Sequence, residues 1–276
     1  VADGIYAVNV FWKGKGLTSF QPYASGLFDN PYRVEIGLIE GYVYRFDCSF
    51  LGYKDRPYYT IQSDSILYGL PFSSTLQKEV NGLVNNDLKI SINPLNINGA
   101  FHQHIYKGEM HIKCDSTTHP TVKRFFGSEQ LDFSNPNMNT SVSMTLKRAY
   151  YSIQFVTDEL APGDSIKIKA ADVAPFYLLY SKDGTSRTEE RIISMYDISD
   201  YYTAKLKEEE TIAFTISYRP ANEEKWYSLY TNQSIKMKRN KKNIIKIVKI
   251  DEHIGDATIS FGEEAEMEES EQEIGK

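Results

Sequence analysis

Cysteine is nearly absent from this sequence: Cys48 and Cys114 stand alone among 276 residues. Two thiols without CxxC spacing exclude a disulfide-stapled scaffold and a zinc ribbon, leaving one bridge or none. Long apolar runs are missing as well. Phe176-Tyr177-Leu178-Leu179-Tyr180 is typical of the longest, far below the roughly 18 residues of a membrane-spanning helix. A basic excess is also lacking. The net charge of −6 falls on residues 263–276, which hold seven Glu and one Lys, so residues 1–262 balance 30 acidic against 30 basic side chains. A neutral body argues against general nucleic-acid binding, which needs a cationic face. The acidic ending reads as a solvated terminal block.

Enzyme signatures are missing too: there is no GxSxG elbow, no GxxxxGK[ST] loop, no GxGxxG and no HExxH. Lys13-Gly14-Lys15-Gly16 lacks the spacing of a phosphate loop and reads as a hairpin turn. The chain begins at Val1 rather than Met, which predicts a trimmed form whose signal peptide or anchor has been removed.

What the sequence does hold is aromatic and β-forming. It has 20 Tyr and 14 Phe, with 41% hydrophobic and 25% charged residues, as in ordinary globular proteins. Alternating apolar and polar residues predict strands over 5–12, 33–39, 41–51, 88–93, 99–114, 142–157, 165–169, 176–180, 211–218, 226–239 and 243–250. In 211–218 (TIAFTISY), Ile212, Phe214, Ile216 and Tyr218 fall on one face. Leu76, Val80, Leu83 and Val84, with Ser74 and Gln77 as a capping box, predict a helix over 74–85. A second short helix is expected within 188–201. The fold class is therefore mostly β: two antiparallel β-sandwich domains with one or two short helices. The Asn- and Pro-rich stretch 133–141 sets the boundary. Residues 1–140 form the first domain, 141–262 the second and 263–276 an acidic tail.

Four of five histidines lie in 101–119. A two-residue turn at Lys107-Gly108 would pair His104 with His111 and place His102 on the same face, three imidazoles of the kind that zinc or copper takes. Surface histidines without a ligand are the competing reading. The stretch 235–249 carries seven Lys or Arg in fifteen residues. It reads as a hairpin turning at 240–243, with Ile235 and Met237 inward and Lys236 and Lys238 forming a charged rim that guards a sheet edge. Tyr23, Tyr32, Tyr53, Tyr58, Tyr59, Tyr68, Tyr201, Tyr202, Tyr227 and Tyr230 lie near turns or strand ends, where a ring packs a core or meets a partner or a sugar.

Four segments carry a family likeness: QPYASGLFD at 21–29, RVEIGLIEGYVYRFD at 33–47, VSMTLKRAYYSIQFV at 142–156 and WYSLYTNQSIKMKRNKKNIIKIVKI at 226–250. Together they resemble the fimbrillin superfamily of Bacteroidales surface pilus proteins. In that family a strand, Leu-x-Arg, strand segment opens the second domain and a late basic-Asn turn closes it; Leu146-Lys147-Arg148 and Lys238-Arg239-Asn240 stand at those places. The resemblance implies two tandem transthyretin-like β-sandwiches and export as a lipoprotein to the outer membrane, its lipid anchor upstream of Val1. It also implies assembly with other fimbrial subunits by strand addition, as a stalk, anchor or tip protein of a fimbrium acting in adhesion. O-glycosylation at Asp-Ser/Thr sites follows from it too, and Asp64-Ser65-Ile66, Asp115-Ser116-Thr117 and Asp164-Ser165-Ile166 match. No cofactor, catalytic residue or nucleic-acid partner is expected. Two other functions are open: a surface glycan-binding protein of a polysaccharide uptake system, whose partner is a host or bacterial glycan, and a metal-dependent hydrolase using His102, His104 and His111.

Overall fold

The computed structural model describes residues 4–30, 34–52, 59–62, 65–69, 72, 76–77, 84, 86–99, 103–105, 115–134, 141–157, 160–180, 186–187, 190–200, 202–248, 258–263 and 272–274. Its first half contains β1 (Gly4–Gly14), β2 (Gln21–Phe28), β3 (Tyr42–Gly52), β4 (Tyr59–Gln62), β5 (Ser65–Gly69), β6 (Leu76–Gln77), β7 (Lys89–Ile90), β8 (Gln103–Ile105), β9 (Asp115–Thr117) and β10 (Arg124–Phe133). The second half contains β11 (Met144–Arg148), β12 (Tyr150–Val156), β13 (Ser165–Ala170), β14 (Val173–Tyr180), β15 (Ser186–Arg187), β16 (Glu190–Ser194), β17 (Glu209–Arg219), β18 (Tyr227–Lys238), β19 (Lys242–Val248), β20 (Thr258–Glu263) and β21 (Gln272–Ile274). No helix is found among the described residues. Leu76 and Gln77, inside the first expected helix, pair instead with Gly69 and Tyr68; most of 74–85 lies outside the described residues. In the second, Glu190–Ser194 is β16, zipped to β12. At both places cross-strand pairing outweighs a local apolar spacing, since helix propensity is a weak prior.

A seven-stranded antiparallel sheet, ordered β21-β11-β10-β3-β1-β2-β7, dominates the first half. Strand β1 sits near its middle and is buried on both faces. Its Ile5 and Ala7 enter one core cluster, while Tyr6, Val8 and Val10 enter another. The expected long strand over 142–157 is two strands broken at Ala149: β11 pairs with β10, and β12 pairs with β16 and β19. Close approach at the β10–β11 crossing requires Gly127, because a Cβ there would lie 2.6 Å from the Thr145 carbonyl oxygen. Arg124, wholly buried on β10, donates to the carbonyls of Gly99 and Ile97 and to Ser49 Oγ. It thereby fastens the 97–99 loop to the sheet.

The second half packs a five-stranded sheet, β15-β14-β13-β17-β18, against a four-stranded one, β16-β12-β19-β20. Phe155 of β12 is the wedge between them, its ring 5.0 Å from Phe176 of β14 and 5.4 Å from Phe214 of β17. Ile212, Phe214 and Ile216 point inward as the alternation requires, and Thr211 and Ala213 outward.

The basic 235–249 segment is not a hairpin. After β18, which pairs with β17, residues Arg239 to Lys241 carry the chain into the other sheet, where β19 runs parallel to β12. The four-stranded sheet is therefore mixed, a correction to the expected all-antiparallel pairing. Inward Ile245 and Ile247, fully buried, explain the switch: they complete the core opposite Ile235 and Met237 instead of standing beside them.

Candidate functional site

One face of the seven-stranded sheet carries a continuous apolar floor. It is made by Tyr6, Val8 and Val10 of β1, Tyr23 of β2, Tyr44, Cys48 and Phe50 of β3, and Phe125 of β10. Across it lies the segment 34–39, which the alternation marks as a strand and which belongs to none of the sheets. Val34, Ile36 and Leu38 pack down onto the floor, while Glu35 is exposed and Ile39 is 50% exposed. Two phenols fasten the strap in place of a backbone ladder. Tyr23 Oη donates to the Gly37 carbonyl at 2.7 Å; Tyr44 Oη accepts from the Ile39 amide at 2.8 Å and donates to the Ile39 carbonyl at 3.1 Å. Burial raises the Tyr44 phenol above its ordinary pKa, so it stays a protonated donor. Trp12, stacked on Tyr42 at 4.7 Å and 4.9 Å from Tyr23, walls one end of the floor.

The sheet ends in two short strands. At one edge, β7 pairs with β2 through Ala24↔Ile90 and Ser25↔Lys89. Beside it Ile90 and Ile92 are 79% and 82% exposed, large apolar side chains presented at a sheet edge. At the other edge, β21 from the end of the chain lies on β11 through Met144↔Ile274 and Leu146↔Gln272. The strap thus covers one face of the sheet, and the two short strands end it. Cys48 beneath the strap is a free thiol, held protonated by burial and by the neighbouring Asp47 carboxylate.

The histidine hairpin takes a different register. Strand β8 pairs with β9, so His104 lies opposite Ser116 rather than His111. His102 and His111 lie outside the described residues, and so does Cys114. Among the described residues no three His, Cys, Asp or Glu side chains are grouped to hold a metal ion. Lys13-Gly14 ends β1 and Lys15-Gly16 is the turn after it, with Gly16 at φ 86° and the Leu17 amide donating to the Gly14 carbonyl. Of the tyrosines, Tyr23 is the strap's fastener, Tyr59 and Tyr68 are backbone register partners in β4 and β5, and Tyr202 is 79% exposed. Tyr32, Tyr53, Tyr58 and Tyr201 lie outside the described residues. Of the matching glycosylation triplets, Asp164-Ser165-Ile166 is a buried corner. Asp164 accepts from the Ala161 and Ala221 amides and from Tyr218 Oη, and Ser165 is 3% exposed, closed to a glycan.

Sequence reasoning missed His119, which joins the two halves. His119 Nε2 lies 3.3 Å from Glu210 Oε1 of β17, near enough for an ion pair though not aligned as a hydrogen bond. Glu210 also accepts from Tyr151 Oη at 2.5 Å and from the Tyr196 amide at 3.0 Å. Burial alone would raise the Glu210 carboxyl, yet His119 first, and then Tyr151 and the Tyr196 amide, hold it below its ordinary value. Burial drives the Tyr151 phenol well above its own, with the Glu210 charge adding to the effect. No local signal announces this cluster, since its members come from four separate segments.

No protein-family model matches the sequence, and no curated protein matches it. Among solved structures, a fimbrial assembly protein from Parabacteroides distasonis is similar at 14% identity, with a TM-score of 0.36, over 95% of this chain and 92% of that one. A TM-score this low does not establish a shared fold.

Proposed function

We propose that this chain is a non-enzymatic fimbrial subunit or accessory protein, exported to the cell surface and built on two tandem transthyretin-like sandwiches. It joins neighbouring subunits by strand addition and so serves adhesion. The observation that supports this reading is the strap. Residues 34–39 have a strand's alternation but no backbone partner in the sheets, so an incoming strand can take their place on the floor or lie beside them, gaining main-chain hydrogen bonds. The sequence resemblance to fimbrillins points the same way.

The test is to shear surface filaments from cells that make the protein and probe them, beside the outer-membrane fraction, with an antibody to this chain. Co-purification with filaments is expected. Confinement to the membrane fraction would overturn the fimbrial assignment. Deleting an N-terminal segment is no substitute, because β1 is a central strand whose loss would unfold the sheet.

A further inference from the structure

Charge is segregated on the five-stranded sheet. Residues 1–262 are neutral overall, yet β13, β14, residues 211–219 of β17 and all of β18 contain no Asp or Glu, while they hold Lys167, Lys169, Arg219, Lys238 and Lys236, the last paired with Glu209 at the start of β17. The inward positions of this sheet are filled by Ile166, Ile168, Phe176, Phe214 and Ile216, so alternation puts Lys167 and Lys169 on the outer face. The register lays out that face. One row runs Tyr177, Lys167, Ser217, Ser228; the next places Ser165 beside Arg219, and a third sets Lys169 beside Thr215.

Lys167 Nζ and Arg219 Cζ converge on one ring, lying 4.9 Å and 5.2 Å from the centroid of Trp226. Tyr177, 39% exposed, stands across from Lys167. The ring draws both cations to one place on the sheet, flanked by Ser217, Ser228 and Thr215 and by the exposed Tyr177. Neighbouring cations suit carboxylate or sulfate groups, the hydroxyls suit sugar hydroxyls, and the exposed Tyr177 ring suits a pyranose ring.

We propose that the outer face of the five-stranded sheet, centred on Lys167, Arg219 and Trp226, binds an acidic polysaccharide. A nucleic acid fits the face less well. Single-stranded nucleic acid binds through open rings on which bases stack, whereas the Trp226 ring is occupied by Lys167 and Arg219. This inference stands apart from the assembly reading, since face and strap belong to different sheets.

The test uses the full chain with polygalacturonate as a carboxylated probe, heparin as a sulfated one, neutral dextran and single-stranded DNA, each titrated by calorimetry at low and moderate salt. Saturable binding to one or both acidic polysaccharides is expected, weakening with salt; which one binds separates carboxylate from sulfate recognition. The double variant Lys167→Gln/Arg219→Gln should lose about tenfold or more in affinity. Lys167→Arg should retain it, and Lys89→Gln, on the other sheet, should bind like wild type. Trp226→Ala should also weaken binding; should it unfold, the charge variants carry the test. No binding to either acidic probe, equal binding to dextran, unchanged affinity in the double variant, or tighter binding to DNA would each overturn the proposal.

Discussion

Arg239 donates through Nη1 to the main-chain carbonyl of Arg148 at 2.9 Å, across 91 residues of sequence. The bond is returned one residue on: Arg148 Nη1 donates to Asn240 Oδ1 at 3.0 Å, and the Asn240 amide donates to the Tyr150 carbonyl at 2.9 Å. Arg239 Nη2 also reaches both carboxylate oxygens of Glu208. The place where the chain leaves the first sheet is thus stitched to the place where it changes sheets in the second. Replacing Arg239 with Lys keeps the charge and loses the fork, and should cost about 1.5–3 kcal/mol in urea unfolding, the range for buried hydrogen bonds to charged groups.

Tyr44→Phe removes the hydroxyl that both accepts from and donates to Ile39. The strap should loosen without unfolding the sheet, at a cost of about 1–2 kcal/mol. Hydrogen exchange is the direct readout. The Ile39 amide should exchange at least several-fold faster, while amides of β1 and β3 stay protected.

Phe155 is fully buried between the two sheets of the second half. Truncation to Ala should leave a cavity that two facing sheets cannot close, and lower stability by about 3–5 kcal/mol, measured by denaturant unfolding. Phe155→Leu should recover most of that loss.

Glu210 gives the second half a pH dependence. Its carboxyl titrates below the ordinary value of 4.5 in the folded protein, so the folded state favours the ionised form. The stability it contributes is complete above the unfolded value and is lost as pH falls through the depressed folded one. Urea midpoints compared at about pH 6 and about pH 3 should therefore drop less in Glu210→Gln than in wild type, and the two proteins should converge in acid. A parallel drop in both would show that Glu210 has no such part.

Gly127→Val would drive a side chain into the Thr145 carbonyl. The expected cost is about 1–3 kcal/mol, as for other overpacked sites, concentrated at the β10–β11 crossing. Loss of exchange protection in residues 144–148 with β3 unaffected is the signature to look for.

The alternation of 211–218 was legible because β17 buries one face only, and its period-2 pattern survives in the sequence. Strand β1 was legible from its β-branched and aromatic content even though both its faces are buried. In the expected helix over 74–85, Leu76 and Gln77 are strand instead, because a local apolar spacing does not exclude cross-strand pairing. The parallel β12–β19 pairing could not be read at all: Asn243 Nδ2 donates to the Ser152 carbonyl across 91 residues, and local sequence does not encode partners at that distance. The strap shows a different limit. Alternation in 34–39 reports which side chains face an apolar surface, not whether the backbone has a neighbour. As for sites, four histidines within 101–119 drew notice through their density in sequence, whereas Glu210 meets Tyr151 from 59 residues away, and only the fold brings them together.

The change of sheet at Arg239–Lys241 also fixes an order of events as the chain emerges from a ribosome or a secretion pore. Strands β1, β2, β3 and β10 have one another as partners once residue 133 is out. Strand β12 has no such early neighbour on its inner side, because β19 reaches it only after residue 248. Until then Tyr151, Ile153 and Phe155 lack Ile245 and Ile247 from the core they share. The second half is thus a late-closing unit, with long-range pairing that slows its folding and a window in which unpaired strands are open to other chains.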